Sequence, residues 1–165
     1  MRSIPRLLFI GFAGIALAAP VASQRSDDQI LPKSVELQRQ ARELIAVGKI
    51  EQAEDVLETA LAVDPRNRGA FVDIARAAEK QHLYGKAIRM TNKALLLEPN
   101  DPDAIAVQGE AMVELGATAR AQANLQKLQT ICGAKACPQI AQLSAAISRG
   151  QTVASAKIPE SPKSN

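Results

Sequence analysis

The chain has 165 residues, a net charge of +3, one histidine and two cysteines. A single histidine excludes a catalytic histidine pair or a multi-histidine metal site. Scattered charges of both signs, with no lysine or arginine block, leave no electrostatic footprint for nucleic acid. The apolar 47% is mostly Ala, Leu, Ile and Val and only 2% is aromatic, a composition that favours helices packed through small side chains.

The first elements read as a secretory leader over 1–23. Arg2 and Arg6 precede an apolar run from Leu7 to Ala19, and Ala16-Leu17-Ala18 and Val21-Ala22-Ser23 fit the small-x-small cleavage pattern. The run falls short of the roughly 20 residues that span a bilayer. No cysteine follows it, so the lipoprotein signal is absent. The expectation is an exported protein, periplasmic if the source is bacterial, with no stable membrane insertion after cleavage. Loss of Arg2 and Arg6 lowers the charge from +3 to +1. Phe71 and Tyr84 are then the remaining aromatics, too few to stack bases.

Residues 24–33 are polar and read as a linker. Beyond them a unit recurs at a spacing of 34: Ala41, Ala75 and Gly109; Ala53, Ala87 and Ala121; Gly48, His82 and Gly116; Pro65 and Pro99, with Gly133 in the third place. Such a period means stacked supersecondary units. In 34–67, Leu37, Ala41 and Leu44 share one helical face, Gly48 breaks the helix, and Ala53, Leu57, Ala60 and Leu61 begin another that Asp64-Pro65 stops. In 68–101 the same roles fall to Phe71, Ile74, Ala75 and Ala78, then Ala87, Thr91, Ala94 and Leu95. In 102–135 they fall to Ile105, Gly109 and Met112, then Ala121, Leu125 and Leu128, with Asp101 as N-cap and Pro102 at the first helical position. Six helices of about 13 residues are predicted, joined by short turns. The repeated small residues predict close helix contacts at Ala41·Ala53, Ala75·Ala87 and Gly109·Ala121, because interaxial distance follows side-chain size.

A seventh helix is predicted over 138–148, begun by Pro138 and carrying Ile140, Leu143 and Ile147. It is placed to cap the apolar end of the stack. From 149 to 165 Ser, Lys and Pro dominate without periodicity, which reads as a disordered tail.

The pattern Leu37-Ala41-Leu44-Ala53-Leu57-Ala60-Pro65, Phe71-Ala75-Ala78-Ala87-Thr91-Ala94-Pro99 and Ile105-Gly109-Met112-Ala121-Leu125-Leu128 resembles the tetratricopeptide repeat. Gln40 and Gln108 depart from it, standing where the family usually has a large apolar residue, as does Gly133 in place of Pro. The resemblance implies an all-α, right-handed solenoid of three helix-turn-helix repeats over 34–148, capping helix included. It also implies a binding groove lined by the first helix of each unit. Carried onto this chain, the groove positions are Val35, Gln38, Arg42 and Ile45; Gly69, Val72, Arg76 and Glu79; and Asp103, Ala106, Glu110 and Val113. Arg42, Arg76 and Glu110 are 34 apart and form a row. Two arginines suit carboxylates of a peptide; alternatively Arg42 and Glu110 solvate the face, or Arg76 pairs with Asp73 or Glu79. The family's clamp for an acidic C-terminal tail uses Lys and Asn where this chain has Gln38, Arg42 and Asp73.

Cys132 and Cys137, in an exported chain, read as a short disulfide. A redox or metal role is the alternative; the spacing is not that of a thioredoxin motif, and Pro138 stands where haem attachment needs His. His82 occupies the turn position of Gly48 and Gly116, which predicts positive φ. No phosphate loop, nucleophile elbow or paired-histidine helix stands out, so no enzyme, cofactor or metal is expected. The expected function is binding a protein or peptide, as an adaptor or scaffold in envelope assembly or secretion. The alternatives are self-association through the solenoid ends, or a small thiol-disulfide protein.

Overall fold

The computed structural model describes residues 29–133, 135 and 137–156, the last six of them by backbone alone. The expected leader, most of the linker and residues 157–165 lie outside the described residues. The elements are α1 (Pro32–Ala46), α2 (Ile50–Val63), α3 (Arg68–Lys80), α4 (Tyr84–Leu97), α5 (Pro102–Glu114), α6 (Thr118–Cys132) and α7 (Pro138–Ala156). They form three helical hairpins and a final single helix. Helix α1 begins at Pro32, inside the expected linker, with proline in its first turn, where the missing N–H costs nothing. Helix α7 runs to Ala156 rather than ending at 148. The expected tail is therefore helical over 149–156. Its small residues carry no apolar stripe, but they do not break a helix already started.

Each hairpin bends in the same way. Gly48, His82 and Gly116 have φ of 78°, 59° and 76°. Just after each, Lys49 N–H donates to Leu44 O, Leu83 N–H to Ala78 O and Ala117 N–H to Met112 O, at 2.8–2.9 Å. These bonds close orphan carbonyls as in a Schellman motif. His82 is the one described non-glycine residue at positive φ, in the turn its repeat position predicts.

The joints between hairpins are capped by side chains. Asn67 Oδ1 accepts from Ala70 N–H at 3.1 Å, while its Nδ2 donates to Ser34 Oγ, which donates in turn to Ala60 O. Asp101 Oδ1 accepts from Ala104 N–H at 2.9 Å. Such caps are worth about 1 kcal/mol each.

Ala41, Ala53, Ala75, Ala87 and Ala121 are fully buried, at the interfaces between the paired helices. Gly109 is different: a Cβ there would lie 2.6 Å from Leu143 Cδ1. Its smallness thus admits Leu143 of α7, a contact the repeat spacing did not suggest. Leu143 and Ile147 of α7 complete a cluster with Ile105, Met112, Val113 and Leu128. Buried Gln108 is satisfied across α4 and α6 by Asn92 and Asn124, at 2.7 and 3.0 Å.

The first helices touch one another, α1 to α3, α3 to α5 and α5 to α7, whereas α2, α4 and α6 make no comparable approach among themselves. Tighter spacing in one layer than in the other makes the first-helix layer the concave one.

Candidate functional site: the inner face of the first helices

At the N-terminal end of the concave layer, three helices converge on one carboxylate. Asp73 of α3 has only 3% of its side chain exposed. Its Oδ2 accepts from Gln38 Nε2 at 2.7 Å and Arg42 Nε at 2.6 Å, both from α1. Its Oδ1 accepts from Arg76 Nη1 at 3.3 Å. Arg76 Nη2 reaches Asp103 Oδ1 of α5 at 2.8 Å, and the same oxygen accepts from Gln139 Nε2 of α7 at 3.2 Å. A continuous chain of charge-assisted hydrogen bonds thus links α1, α3, α5 and α7. Gly69 makes room for it, because a Cβ there would lie 2.5 Å from Gln38 Nε2.

Beside this chain opens a cavity of about 250 Å³, lined by Ile30, Val35, Gln38, Arg42, Asn67, Arg68, Gly69, Val72, Arg76, Asp101 and Asp103. Arg68 Nε donates to Asp101 Oδ2 at 2.8 Å. Arg42 and Arg68 are therefore held alike: each is fixed through Nε to a buried aspartate and each is about half exposed, 57% and 51%. Their terminal nitrogens make no hydrogen bond among the described residues. A guanidinium fixed at one edge and open at the other is suited to a planar acceptor.

Further along α3 and α5 the character changes. Burial pushes the Glu79 carboxyl up to about 8, and the Glu110 charge adds to the rise while Arg76 opposes it. Burial also raises Glu110, against the hydrogen bond from Gln142 and the charges of Arg76 and Arg149. Tyr84 is raised as well, by desolvation and by Glu114. The inner face is thus cationic and hydrogen-bonding at α1–α3 and acidic towards α7.

The predicted groove positions divide accordingly. Val35, Gln38, Arg42, Gly69, Val72, Arg76 and Asp103 come together around the cavity. Ile45 packs partly buried against the first hairpin, and Glu79 and Glu110 form the acidic half. Ala106 and Val113 are 1% and 7% exposed and belong to the cluster closed by α7, with Val113 Cγ1 lying 2.5 Å from where a Cβ on Gly150 would sit. Of the alternatives open for the arginines, Arg76 does pair with Asp73. Arg68, Asn67 and Gln139 were not among the predicted groove residues. Arg68 and Asp101 are 33 apart, nearly the repeat length, and that spacing was the available signal. Gln139 carried none, since it belongs to the helix outside the repeat register.

At the far end, Cys132 and Cys137 form a disulfide with Cα atoms 6.0 Å apart, joining the end of α6 to the start of α7. Among the described residues no cluster of three or more His, Cys, Asp or Glu could hold a metal. No described helix is long and apolar enough to cross a membrane.

Stacked helical hairpins with a concave inner layer define a repeat solenoid, a class of scaffold. The sequence profile for the tetratricopeptide repeat matches residues 44–111, and the chain carries tetratricopeptide repeats there. No curated protein sequence matches it. Among solved structures, the Sgt2 tetratricopeptide domain from Aspergillus fumigatus superposes with a TM-score of 0.68 at 18% identity, covering 82% of this chain and 90% of that one. The second such domain of human RPAP3, in complex with an HSP70 peptide, gives 0.62 at 20% identity over 72% and 95%. PcrH from Pseudomonas aeruginosa gives 0.63 at 16% identity over 72% and 91%. At these identities the likeness establishes the fold.

Proposed function

We propose that this chain is an exported interaction module whose concave face binds a partner polypeptide, serving as an adaptor or scaffold in envelope assembly or secretion. The observation that carries the binding reading is the cavity between α1, α3 and α5. Two guanidinium groups there are fixed by buried aspartates and left open at their outer nitrogens, next to the apolar wall of Val35 and Val72. Those features fit a short segment with a carboxylate and an apolar side chain beside it. Two structural relatives point the same way: the RPAP3 domain is in complex with an HSP70 peptide, and PcrH with the chaperone binding region of PopD. Export rests on the leader-like pattern over 1–23.

A displayed peptide library tests the binding reading. Selected peptides should bind the wild type and lose affinity at least tenfold to Val35→Glu, which alters an exposed cavity wall without touching the aspartates. Peptides that bind both proteins equally would place recognition elsewhere. Fractionation of cells expressing the full chain tests export. A processed product outside the cytoplasm is expected, and an unprocessed cytoplasmic product would remove the envelope role.

A further inference from the structure

The outer layer of the solenoid is divided by charge. Helix α2 has four acidic residues and no basic one, whereas α4 and α6 have five basic residues between them and no acidic one. Glu51, Asp55 and Glu58 fall at i, i+4 and i+7, so they form one stripe on α2, and all three are exposed. One repeat on, Arg89 occupies the place of Asp55 and Lys93 that of Thr59; both are exposed, as are Arg120 and Lys127 on α6. Neither Glu51, Asp55 and Glu58 nor Arg89 and Arg120 has an ion-pair partner among the described residues, whereas Glu54 and Lys86 pair across the boundary at 2.9 Å. Leu96, beside Arg89 and Lys93 on the α4 stripe, is 83% exposed, the highest value among the described large apolar residues.

We infer that this outer face is a dimer surface, on which the acidic α2 of one copy lies against the basic α4 of a second copy. The arrangement is self-complementary: a two-fold axis between α2 and α4 brings acid to base twice, as an isologous interface requires. An anionic lipid surface fits less well, since it would meet the carboxylates of α2 as well as the basic helices. The acidic and basic stripes together call for a partner with both signs in the same order, and another copy of this chain has them. Two helices of about 21 Å, spaced about 10 Å, offer on the order of 400 Å² per copy. That falls below the roughly 800 Å² per partner of a standard interface. The dimer is therefore weak, and screening by salt loosens it further. Docking on this layer leaves both concave faces open.

The test is sedimentation equilibrium of the protein purified from expression of the full chain, with two charge-reversed variants, Glu51→Lys/Asp55→Lys and Arg89→Glu/Lys93→Glu, each checked for wild-type helicity. The wild type should dimerise, with a Kd rising about tenfold or more between low and physiological salt. Each variant should be monomeric alone, and an equal mixture of the two should restore the dimer, because acid then faces base at both contacts. Should either double variant fail to fold, the single reversals Arg89→Glu and Asp55→Lys replace it. A wild type that stays monomeric at about 1 mM in low salt overturns the proposal. So does a dimer indifferent to both reversals, or a folded mixture that stays monomeric. Cosedimentation with anionic vesicles by a monomeric wild type would reassign the basic helices to a lipid surface.

Discussion

Gly109 lacks the one carbon that would collide with Leu143, because a Cβ on α5 would lie 2.6 Å from the Cδ1 of that leucine on α7. The final helix is thus seated in the last repeat by the absence of a side chain. Gly109→Ala should lower stability by about 1–3 kcal/mol through overpacking, despite the better helix propensity of alanine. Leu143→Ala should cost about 2–5 kcal/mol through the cavity it leaves. Combined, they should cost clearly less than the sum, since the added methyl enters the vacated space. Urea unfolding of the three variants checks this; strict additivity would mean that α7 is not seated there.

The carboxylate of Asp73 is the point where two repeats are joined electrostatically. Asp73→Ala strands the donors of Gln38, Arg42 and Arg76, and should cost about 1–3 kcal/mol. Asp103 also takes two donors, but its side chain is 49% exposed, so Asp103→Ala should cost less than about 1 kcal/mol. Thermal melts of the two proteins give the comparison, and equal losses would contradict it.

Glu79 makes stability fall with rising pH. Its folded carboxyl titrates near 8, raised first by burial, against a usual value of 4.5. Between those values the folded state holds a proton that the unfolded state has released, so stability declines from about pH 4.5 to about pH 8 and then levels. Glu79→Gln should remove this decline, gaining on the wild type by on the order of 1–3 kcal/mol at pH 8 relative to pH 5. Asp64 acts in the opposite direction. Arg66 and the Leu31 N–H hold its carboxyl down near 2, so its contribution is complete above about pH 4 and disappears as pH falls towards 2. Denaturation across pH 2–9 in both proteins reads the two limbs separately.

The Cys132–Cys137 link closes a very short loop. Reduction, or Cys132→Ser, should cost about 2 kcal/mol by the loop-entropy estimate and leave the protein folded. Faster amide exchange should be confined to the end of α6 and the first turn of α7. Complete unfolding on reduction would show that α7 depends on the bond rather than on Leu143 and Ile147.

The repeat was legible because its signals are local. A small residue every 34 positions and a left-handed turn residue at 48, 82 and 116 each carry their own steric reason. The length of α7 was not legible, since no stop residue marks Ser148 and no apolar stripe runs through 149–156. The site was legible where it rested on repeat position, as for Arg42 and Arg76 at the cavity. It failed where burial had to be known: Ala106 and Val113 occupy groove positions, but α7 covers them. Position within a repeat says where a side chain points, not what lies over it.

The hydrogen-bond chain from Gln38 to Gln139 crosses every element of the inner layer, yet its outer members sit on α1 and α7, each of which has a neighbour on only one side within that layer among the described residues. Terminal helices open first in a linear array. Each brief departure of α1 or α7 would break one end of the chain and leave the α3–α5 centre standing. On that order of opening the groove would come apart from its rims inwards, and a long ligand would gain part of its residence time by holding those rims shut.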